Sequence, residues 1–334
     1  MPEQKKTPGA GGNRYVPYEE RTGNESIVYF TRDLSAEGLK KIVARVSARL
    51  SGKVAVKLHT GEKNGPNIIP RPWVKELMDA QFPDAAIVET NTYYEGDRYT
   101  TRQHRQTLEV NGWTFCPVDI LDEEGTVMLP VKGGKWHDEM SMGGHIVNYD
   151  SMLALTHFKG HIQGGFGGSD KNLGIGCADG RIGKAMIHTT PGSEDQWDIS
   201  KEEFMERMTE SAKAVIDYFG EHISYVNVLR NMSVSCDCEG CGAMPVVTPN
   251  IGIVASTDIL AADQASIDLV YALEEEDHAD LVERIQSRHG HRQLSYMKEL
   301  GMGNDRYVLI DIDNGDIRIG LKDAVKDVVP FVLD

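Results

Sequence analysis

Residues 152–177 read MLALTHFKGHIQGGFGGSDKNLGIGC, and this stretch decides how the chain is organised. Its first five residues predict a buried strand, which runs straight into a glycine-rich loop. Glycines this dense let the backbone approach a neighbour closely, because no Cβ holds it away. The loop also carries histidines, lysines and a cysteine, which are side chains that bind transition metals or move protons. We therefore interpret the loop as the floor of a functional site.

Predicted strands and helices alternate along the rest of the chain. Residues 53–58 and 225–229 have the composition of buried strands, and residues 201–219 form the clearest amphipathic helix. Ser200 and Glu203 form a capping box at the start of that helix. Alternation of this kind is typical of the α/β class. We expect an α/β fold with a mixed or mostly parallel sheet core and a ligand site at the C-terminal ends of its strands.

The first 25 residues differ from the rest in composition. Residues 1–25 are polar and rich in Gly, Pro, Lys and Glu, which predicts a flexible N-terminal arm. Residues 26–334 are predicted to form a single α/β domain. A division of that domain into two lobes, with a boundary near residues 150–200, is the alternative.

Composition and charge exclude several classes of protein. The chain has 334 residues, is 40% hydrophobic and carries a formal net charge of -16. It has no Lys/Arg cluster of the kind that a nucleic-acid-binding face needs, so we expect no nucleic-acid partner. No apolar run is long enough for a transmembrane helix. We expect a small-molecule substrate or a redox partner, with the cytoplasm as the default compartment and an exported form as the open alternative.

Three of the five cysteines lie within six residues. The segment CDCEGC at 236–241 presents Cys236, Cys238 and Cys241, and thiolates suit Zn, Fe–S clusters and Cu(I). Tetrahedral closure needs a fourth ligand, for which Cys177 is the natural candidate and a histidine the next. We expect these four cysteines to hold an Fe–S cluster or a single transition metal, namely Fe, Zn or Ni. Free thiols near a strand end are the alternative.

The glycine-rich loop supplies a second group of candidate residues. His188 follows the strand-like segment 185–187 and is expected to reach the same place as the loop. The pattern does not fit a Walker A loop. A structural turn with chance histidines is the alternative to a cofactor site. The expected cofactor-binding residues are His157, Gly164, Gly165, Gly167, Gly168 and Lys171.

Polar residues follow two other predicted strands. The segment His59–Glu62 follows the strand at Val54, and Glu89, Asn91 and Tyr93 lie at or beyond the end of the next strand. Such residues often line a shared cleft, because the ends of neighbouring strands meet at one edge of a sheet. They are also ordinary helix caps and turn residues, and both interpretations stay open.

Taken together, these segments resemble the DUF362 family, described as uncharacterised Fe–S-centre proteins. The resemblance implies a metal-centred redox protein or enzyme that acts on an unknown small polar substrate. Some relatives carry a ferredoxin-type segment, which this chain lacks. The matching segments are residues 54–62, 157–161, 164–168, 171–174, 187–188, 236–238, 250–256 and 263–266.

The glycine-rich loop is also similar to that of the nickel-pincer lactate racemase family. The shared pattern is His161, the glycine run, Lys171 and then His188. The resemblance implies that Lys171 tethers a pyridinium cofactor and that His161 and His188 lie near the metal and move protons as acid and base. The implied alternative function is a racemase or isomerase of 2-hydroxy acids. A non-enzymatic anion-binding module is the remaining alternative.

Overall fold

A computed structural model describes residues 12–331 of the 334-residue chain. The strands are Glu25–Thr31 (β1), Val54–Lys57 (β2), Ala86–Glu89 (β3), Val118–Ile120 (β4), Thr126–Pro130 (β5), Glu139–Gly143 (β6), Ser151–His157 (β7), Lys159–His161 (β8), Gly165–Gly167 (β9), Ile223–Leu229 (β10), Gly252–Ser256 (β11), Arg306–Asp311 (β12) and Ile317–Ile319 (β13).

Helices connect most of these strands. The α-helices are Ala36–Ala44 (α1), Arg71–Gln81 (α2), Thr101–Val110 (α3), Ser169–Gly174 (α4), Ile182–His188 (α5), Lys201–Phe219 (α6), Ile259–Tyr271 (α7), Glu275–Ser287 (α8), His291–Glu299 (α9) and Leu321–Val325 (α10). Short 3-10 helices lie at Tyr18–Glu20, Ser47–Arg49, Gly144–Asn148 and Asp237–Gly242.

The core of the fold is a nine-stranded mixed sheet. Its strand order is β13-β12-β1-β11-β10-β7-β2-β3-β4. The run from β10 through β7, β2 and β3 to β4 is parallel throughout, whereas β11 pairs antiparallel with both β10 and β1. The predicted α/β class with a mostly parallel sheet is confirmed. Parallel strands bring their C-terminal ends to one edge of the sheet, and that edge carries the site described below.

The central strands are buried on both faces because helices cover both. Every residue of β7 and β10 is buried. Leu153 and Leu155 pack in a core with α1, α2 and α3, while Met152 and Ala154 pack in a second core with α6 and α7. Alternate side chains of one strand therefore serve two cores, which explains why these strands read as continuous apolar runs.

Two local predictions have different outcomes. Helix α6 has the predicted bounds, and the Ser200 hydroxyl accepts a hydrogen bond from the Glu203 amide at its start. The prediction of a strand at residues 185–187 is wrong, because this segment lies in helix α5. The Asp179 carboxylate starts that helix by accepting hydrogen bonds from the backbone amides of residues 181–183. A cap of this kind satisfies amides that have no partner within the helix.

The predicted N-terminal arm lies partly outside the described residues. Within residues 12–25, the Arg21 guanidinium makes two hydrogen bonds of 2.6 Å to the Asp268 carboxylate, with both side chains fully buried. Tyr15 stacks on Tyr271 at a ring separation of 4.2 Å. The division into an arm and one domain, or into two lobes, stays a prediction. Within residues 12–331, none of the helices combines the length and the apolar character that crossing a membrane requires.

Helix α4 is held against the sheet by a carboxylate of another helix. Asp263 of α7 accepts hydrogen bonds from the backbone amides of Ser169 at 2.7 Å and Asp170 at 2.9 Å. Its Oδ1 also accepts a hydrogen bond of 2.8 Å from Asn227 of β10. Gly168 makes room for this contact, because a Cβ there would lie 2.6 Å from the carboxylate. Gly168 is thus required at the start of α4, the helix that carries Lys171.

We expect Asp263→Ala to lower the free energy of unfolding by about 2–4 kcal/mol, because two buried backbone amides lose their acceptor. Urea denaturation followed by circular dichroism measures this. Asp263→Asn keeps one acceptor oxygen and should give a smaller loss. Equal stability of the wild type and Asp263→Ala would contradict the assigned role.

Candidate functional site

A cavity of about 360 Å³ lies at the C-terminal edge of the parallel strands. Lys57 and Glu89 end β2 and β3, His157 ends β7, and all three line the cavity. Lys171 of α4 and Cys238 of the 3-10 helix after β10 also line the cavity. The cavity therefore lies where a mostly parallel sheet is expected to bind its ligand.

A close backbone contact brings the glycine-rich loop against the cysteine segment. After β7 the chain forms a small hairpin of β8 and β9, and Gly160 lies in the middle of β8. The Gly160 amide donates a hydrogen bond of 2.8 Å to the Ser233 carbonyl. A Cβ at residue 160 would lie 2.3 Å from the carbonyl oxygen of Val234. Only glycine allows this approach, which places His161 beside the cysteines.

His161, Cys236 and Cys238 form a group of three metal-ligating side chains. Their ligand atoms all lie within 4.8 Å of one another. His161 and Cys236 are buried, and Cys238 is half-buried. Between residues 12 and 331, no other three histidine, cysteine or acidic side chains come this close together. A nitrogen and two sulfurs match the donors that zinc and other transition metals prefer.

The two thiols of this group differ in protonation. The hydrogen bond from Cys238, together with the charge of Lys171 and hydrogen bonds from His161 and His59, holds the pKa of the Cys236 thiol well below its usual value. The hydrogen bond to Cys236, together with burial, raises the pKa of the Cys238 thiol well above its usual value. The two pKa values move in opposite directions because the two thiols are hydrogen-bonded to each other.

The His161 ring is oriented by backbone amides. Its Nδ1 accepts hydrogen bonds from the amides of Gly164 at 2.8 Å and Gln163 at 3.3 Å. Burial, followed by the charge of Lys171, lowers the pKa of His161 to about 4, so the ring is neutral at pH 7. Nε2 then carries the ring proton, so a metal at Nε2 would require that proton to move to Nδ1 and the amide hydrogen bonds at Nδ1 to be given up.

The residue between the two cysteines anchors the whole segment. The Asp237 carboxylate lies 2.9 Å from Nδ1 of His157 and 3.0 Å from Nζ of Lys159. Nε2 of His157 lies 2.6 Å from the Arg230 carbonyl oxygen. Both partners of the His157 ring are oxygen atoms that accept hydrogen bonds. His157 lines the cavity, but both of its ring nitrogens are occupied by protein atoms.

Lys171 and His188 line the same cavity as His161. Lys171 is 8% exposed. The His188 ring stacks between Tyr93 and Phe204, at ring separations of 5.8 and 5.0 Å. Burial, followed by the charges of His161 and Lys171, lowers the pKa of His188 to about 3. The three residues that the lactate racemase resemblance singled out therefore share one cavity.

The remaining predicted site residues, which are two cysteines and four glycines, have different surroundings. Cys177 is fully buried in the apolar core, where burial raises the pKa of its thiol to about 12. Cys241 is exposed, with its Sγ 3.5 Å from the Asn64 carbonyl oxygen. Gly167 and Gly168 line the cavity, whereas Gly164 and Gly165 pack against Gln293 and Gly290. The described residues thus bring two of the four predicted thiols together, joined by a histidine.

The sequence contains weak signals for some of the residues that line the cavity and none for others. His59, Glu89 and Tyr93 line the cavity, as one of the two interpretations of their strand ends predicts. Lys57 was missed, although a lysine inside a strand whose other residues are apolar is an available signal. Lys184 was also missed, and a lysine on a short helix carries no such signal. Burial lowers the pKa of Lys184 to about 8.

The family model for DUF362, a domain of unknown function, matches residues 54–268. The chain belongs to the DUF362 family. The predicted membership is confirmed, and the match contains every residue of the metal-ligating group. No curated protein matches this DUF362 chain.

Two solved structures are weakly similar to this chain. The lactate racemase apoprotein from Thermoanaerobacterium thermosaccharolyticum is 15% identical, with 77% of this chain and 59% of the racemase covered and a TM-score of 0.42. A Thermotoga maritima protein is 11% identical, with 58% and 49% covered and a TM-score of 0.36. This DUF362 chain thus spans about three fifths of the racemase's length. Likenesses this weak carry no argument about its activity.

We expect Gly160→Ala to lower the free energy of unfolding by about 1–3 kcal/mol, because the new Cβ meets the backbone at Val234. The same displacement moves His161 away from Cys236, so metal binding should weaken as well. Urea denaturation and metal titration measure the two effects. Gly242→Ala is the matched control, because a Cβ there meets nothing within 4 Å. Equal effects of the two substitutions would count against the contact.

Proposed function

We propose that this protein is a metal-dependent enzyme that binds one transition-metal ion through His161, Cys236 and Cys238 and acts on a small polar substrate in the adjoining cavity. The observation that carries the proposal is the convergence of three ligand atoms within 4.8 Å beside a cavity. A structural zinc site uses four protein ligands, whereas a catalytic site keeps a position open. Three protein ligands next to a cavity favour the catalytic arrangement.

The donor set narrows the choice of metal. Two thiolates and an imidazole favour Zn, Ni or Fe over Mg or Ca, which prefer oxygen ligands. The metal would act as a Lewis acid on a substrate oxygen. A cubane Fe–S cluster is held by four thiolates, and residues 12–331 bring only Cys236 and Cys238 together. This argues for a single ion over the cluster.

His188 is a neutral, rigidly held side chain in the wall of the cavity. The His188 ring lines the cavity and is neutral at pH 7, and its Nδ1 is buried without a hydrogen-bond partner among the described residues. A pKa of about 3 makes this imidazole a weak base at pH 7, so its contribution is hydrogen bonding and not proton abstraction. The rings of Tyr93, Trp197 and Phe204 fix its orientation and keep water from its faces. We propose that His188 orients the substrate by hydrogen bonding.

We expect anaerobically purified protein to hold about one equivalent of a transition metal per chain, measured by elemental analysis. Cys236→Ser, Cys238→Ser and His161→Ala should each lose most of it, because each removes one of three ligands. Cys241→Ser is the matched control and should retain the metal, since its thiol lies outside the group.

Three results would contradict the single-ion site. If wild-type protein holds no metal after anaerobic reconstitution, the proposal of a metal site is wrong. About four equivalents of iron per chain would favour an Fe–S cluster over a single ion. Loss of metal from Cys241→Ser equal to the loss from Cys236→Ser would mean that the ligand set is different.

A second candidate function is a pincer-cofactor isomerase of 2-hydroxy acids. It is favoured by Lys171, which lines the cavity together with His161 and His188. The Lys171 side chain makes no hydrogen bond or ion pair with the described residues, so its nitrogen, once deprotonated, is available for a covalent adduct. In this alternative Lys171 tethers the cofactor.

Protein made in a host that produces such a cofactor should then have an intact mass above that of the unmodified chain, with the added mass lost in Lys171→Arg. A spectrum that shows only the unmodified chain would remove this candidate. It would leave the single-ion proposal in place, because that proposal requires no adduct.

A further inference from the structure

Cationic side chains outnumber carboxylates in the lining of the cavity. Five cationic side chains and one carboxylate, that of Glu89, contribute to its wall. The cationic residues are Lys57, Arg98, Lys159, Lys171 and Lys184. Buried charges in proteins are ordinarily paired, because an unpaired charge loses its hydration without compensation. The partner of each cation therefore decides what the cavity is built to hold.

Three of the five cations have carboxylate partners. Nζ of Lys57 lies 3.3 Å from Glu89. Arg98 lies 2.8 Å from Glu62 and 3.7 Å from Glu89. Nζ of Lys159 lies 3.0 Å from Asp237. These pairs are part of the structure itself, and each is available to a ligand only after it is broken.

The other two cations have no carboxylate partner in residues 12–331. Lys171 is 8% exposed, and its ammonium makes neither an ion pair nor a hydrogen bond with the described residues. Lys184 is 5% exposed, and its ammonium donates to the Thr90 hydroxyl and the Asn91 carbonyl, which are both neutral. An ammonium has three donors, so at least one donor of Lys184 remains free.

Apolar side chains line the same cavity as these free donors. Tyr93 and Trp197 line the cavity with their rings 5.4 Å apart in an edge-to-face arrangement. Ile162 and Ile175 add aliphatic surface. Inorganic phosphate would leave this surface without a partner. An organic anion would use both parts of the wall, because its carbon skeleton contacts the rings.

We propose that the cavity binds an organic anion whose carboxylate or phosphate group meets the ammonium groups of Lys171 and Lys184 and whose carbon skeleton packs against Tyr93 and Trp197. This names the substrate class of the site. It rests on the proposed function only for the claim that the bound anion is the substrate. Binding of the anion itself requires no metal.

The test uses the full chain, stripped of metal with a chelator, so that its result does not depend on the metal site. Benzoate and phenyl phosphate are the organic probes, benzamide is the neutral control and inorganic phosphate is the control without a carbon skeleton. Calorimetric titration gives the affinity, and thermal denaturation gives the Tm with and without each probe. We expect saturable binding of benzoate, phenyl phosphate or both, with benzamide and inorganic phosphate at least about tenfold weaker.

Variants assign the binding to the two lysines. Lys171→Met should weaken the better probe about tenfold or more, and Lys171→Arg should retain most of the affinity because the charge remains. Lys184→Met should weaken binding in the same direction. Lys132→Met, at an exposed lysine, should change neither affinity nor Tm.

The outcomes separate the proposals. Binding of benzamide as tight as that of benzoate, equal affinity of wild type and Lys171→Met, or no binding of either organic anion would overturn the anion site. Tighter binding of benzoate would indicate that the bound anion carries a carboxylate, and tighter binding of phenyl phosphate would indicate that it carries a phosphate. If the purified protein contains no metal but binds the organic anion, the anion site is supported and the proposed metal centre is contradicted.

Discussion

The Asp237 carboxylate, buried between His157 and Lys159, is the interaction on which the site depends. It joins the segment after β10 to the end of β7, two strands that are neighbours in the sheet. Burial alone would raise the pKa of Asp237, but the charges of His157 and Lys159 outweigh it and hold that pKa below its usual value. Removing one partner of a buried ion pair typically costs about 3–5 kcal/mol. The cysteines on either side of Asp237 are therefore held firmly relative to the glycine-rich loop.

This anchor explains why the C-x-C spacing matters. Asp237 points toward the β7 end, and the cysteines before and after it are left to converge with His161. The Cys236 amide donates a hydrogen bond of 2.9 Å to Glu239, which tightens the turn that follows. Cys241 comes after this turn and faces the loop at Asn64. Three cysteines close in sequence are thus divided into two that face the cavity group and one at the surface.

The cavity combines groups that oppose stability with groups that maintain it. Lys57, Arg98 and Lys159 are neutralised by carboxylates, so they add to the rigidity of the wall. Lys171 and Lys184 are not neutralised by any described carboxylate, and their burial is unfavourable until a ligand arrives. Groups of this kind are typical of binding sites, where a local loss of stability is offset by the rest of the fold. The nine-stranded sheet with a core on each face supplies that stability.

The sequence by itself determined the α/β class, the bounds of α6 and the family, because strand runs, a capped amphipathic helix and glycine spacing are local properties. It also indicated His161, Cys236 and Cys238, since few other residues suit a metal. Only the tertiary structure decided that Cys177 lies in the apolar core, that residues 185–187 are helical under the Asp179 cap, and that Lys57 and Lys184 face the cavity. The reason is physical: the position of a thiol or an ammonium group relative to a partner far away in sequence depends on strand order and on single close contacts, such as that of Gly160 with Val234. No local pattern encodes either of these.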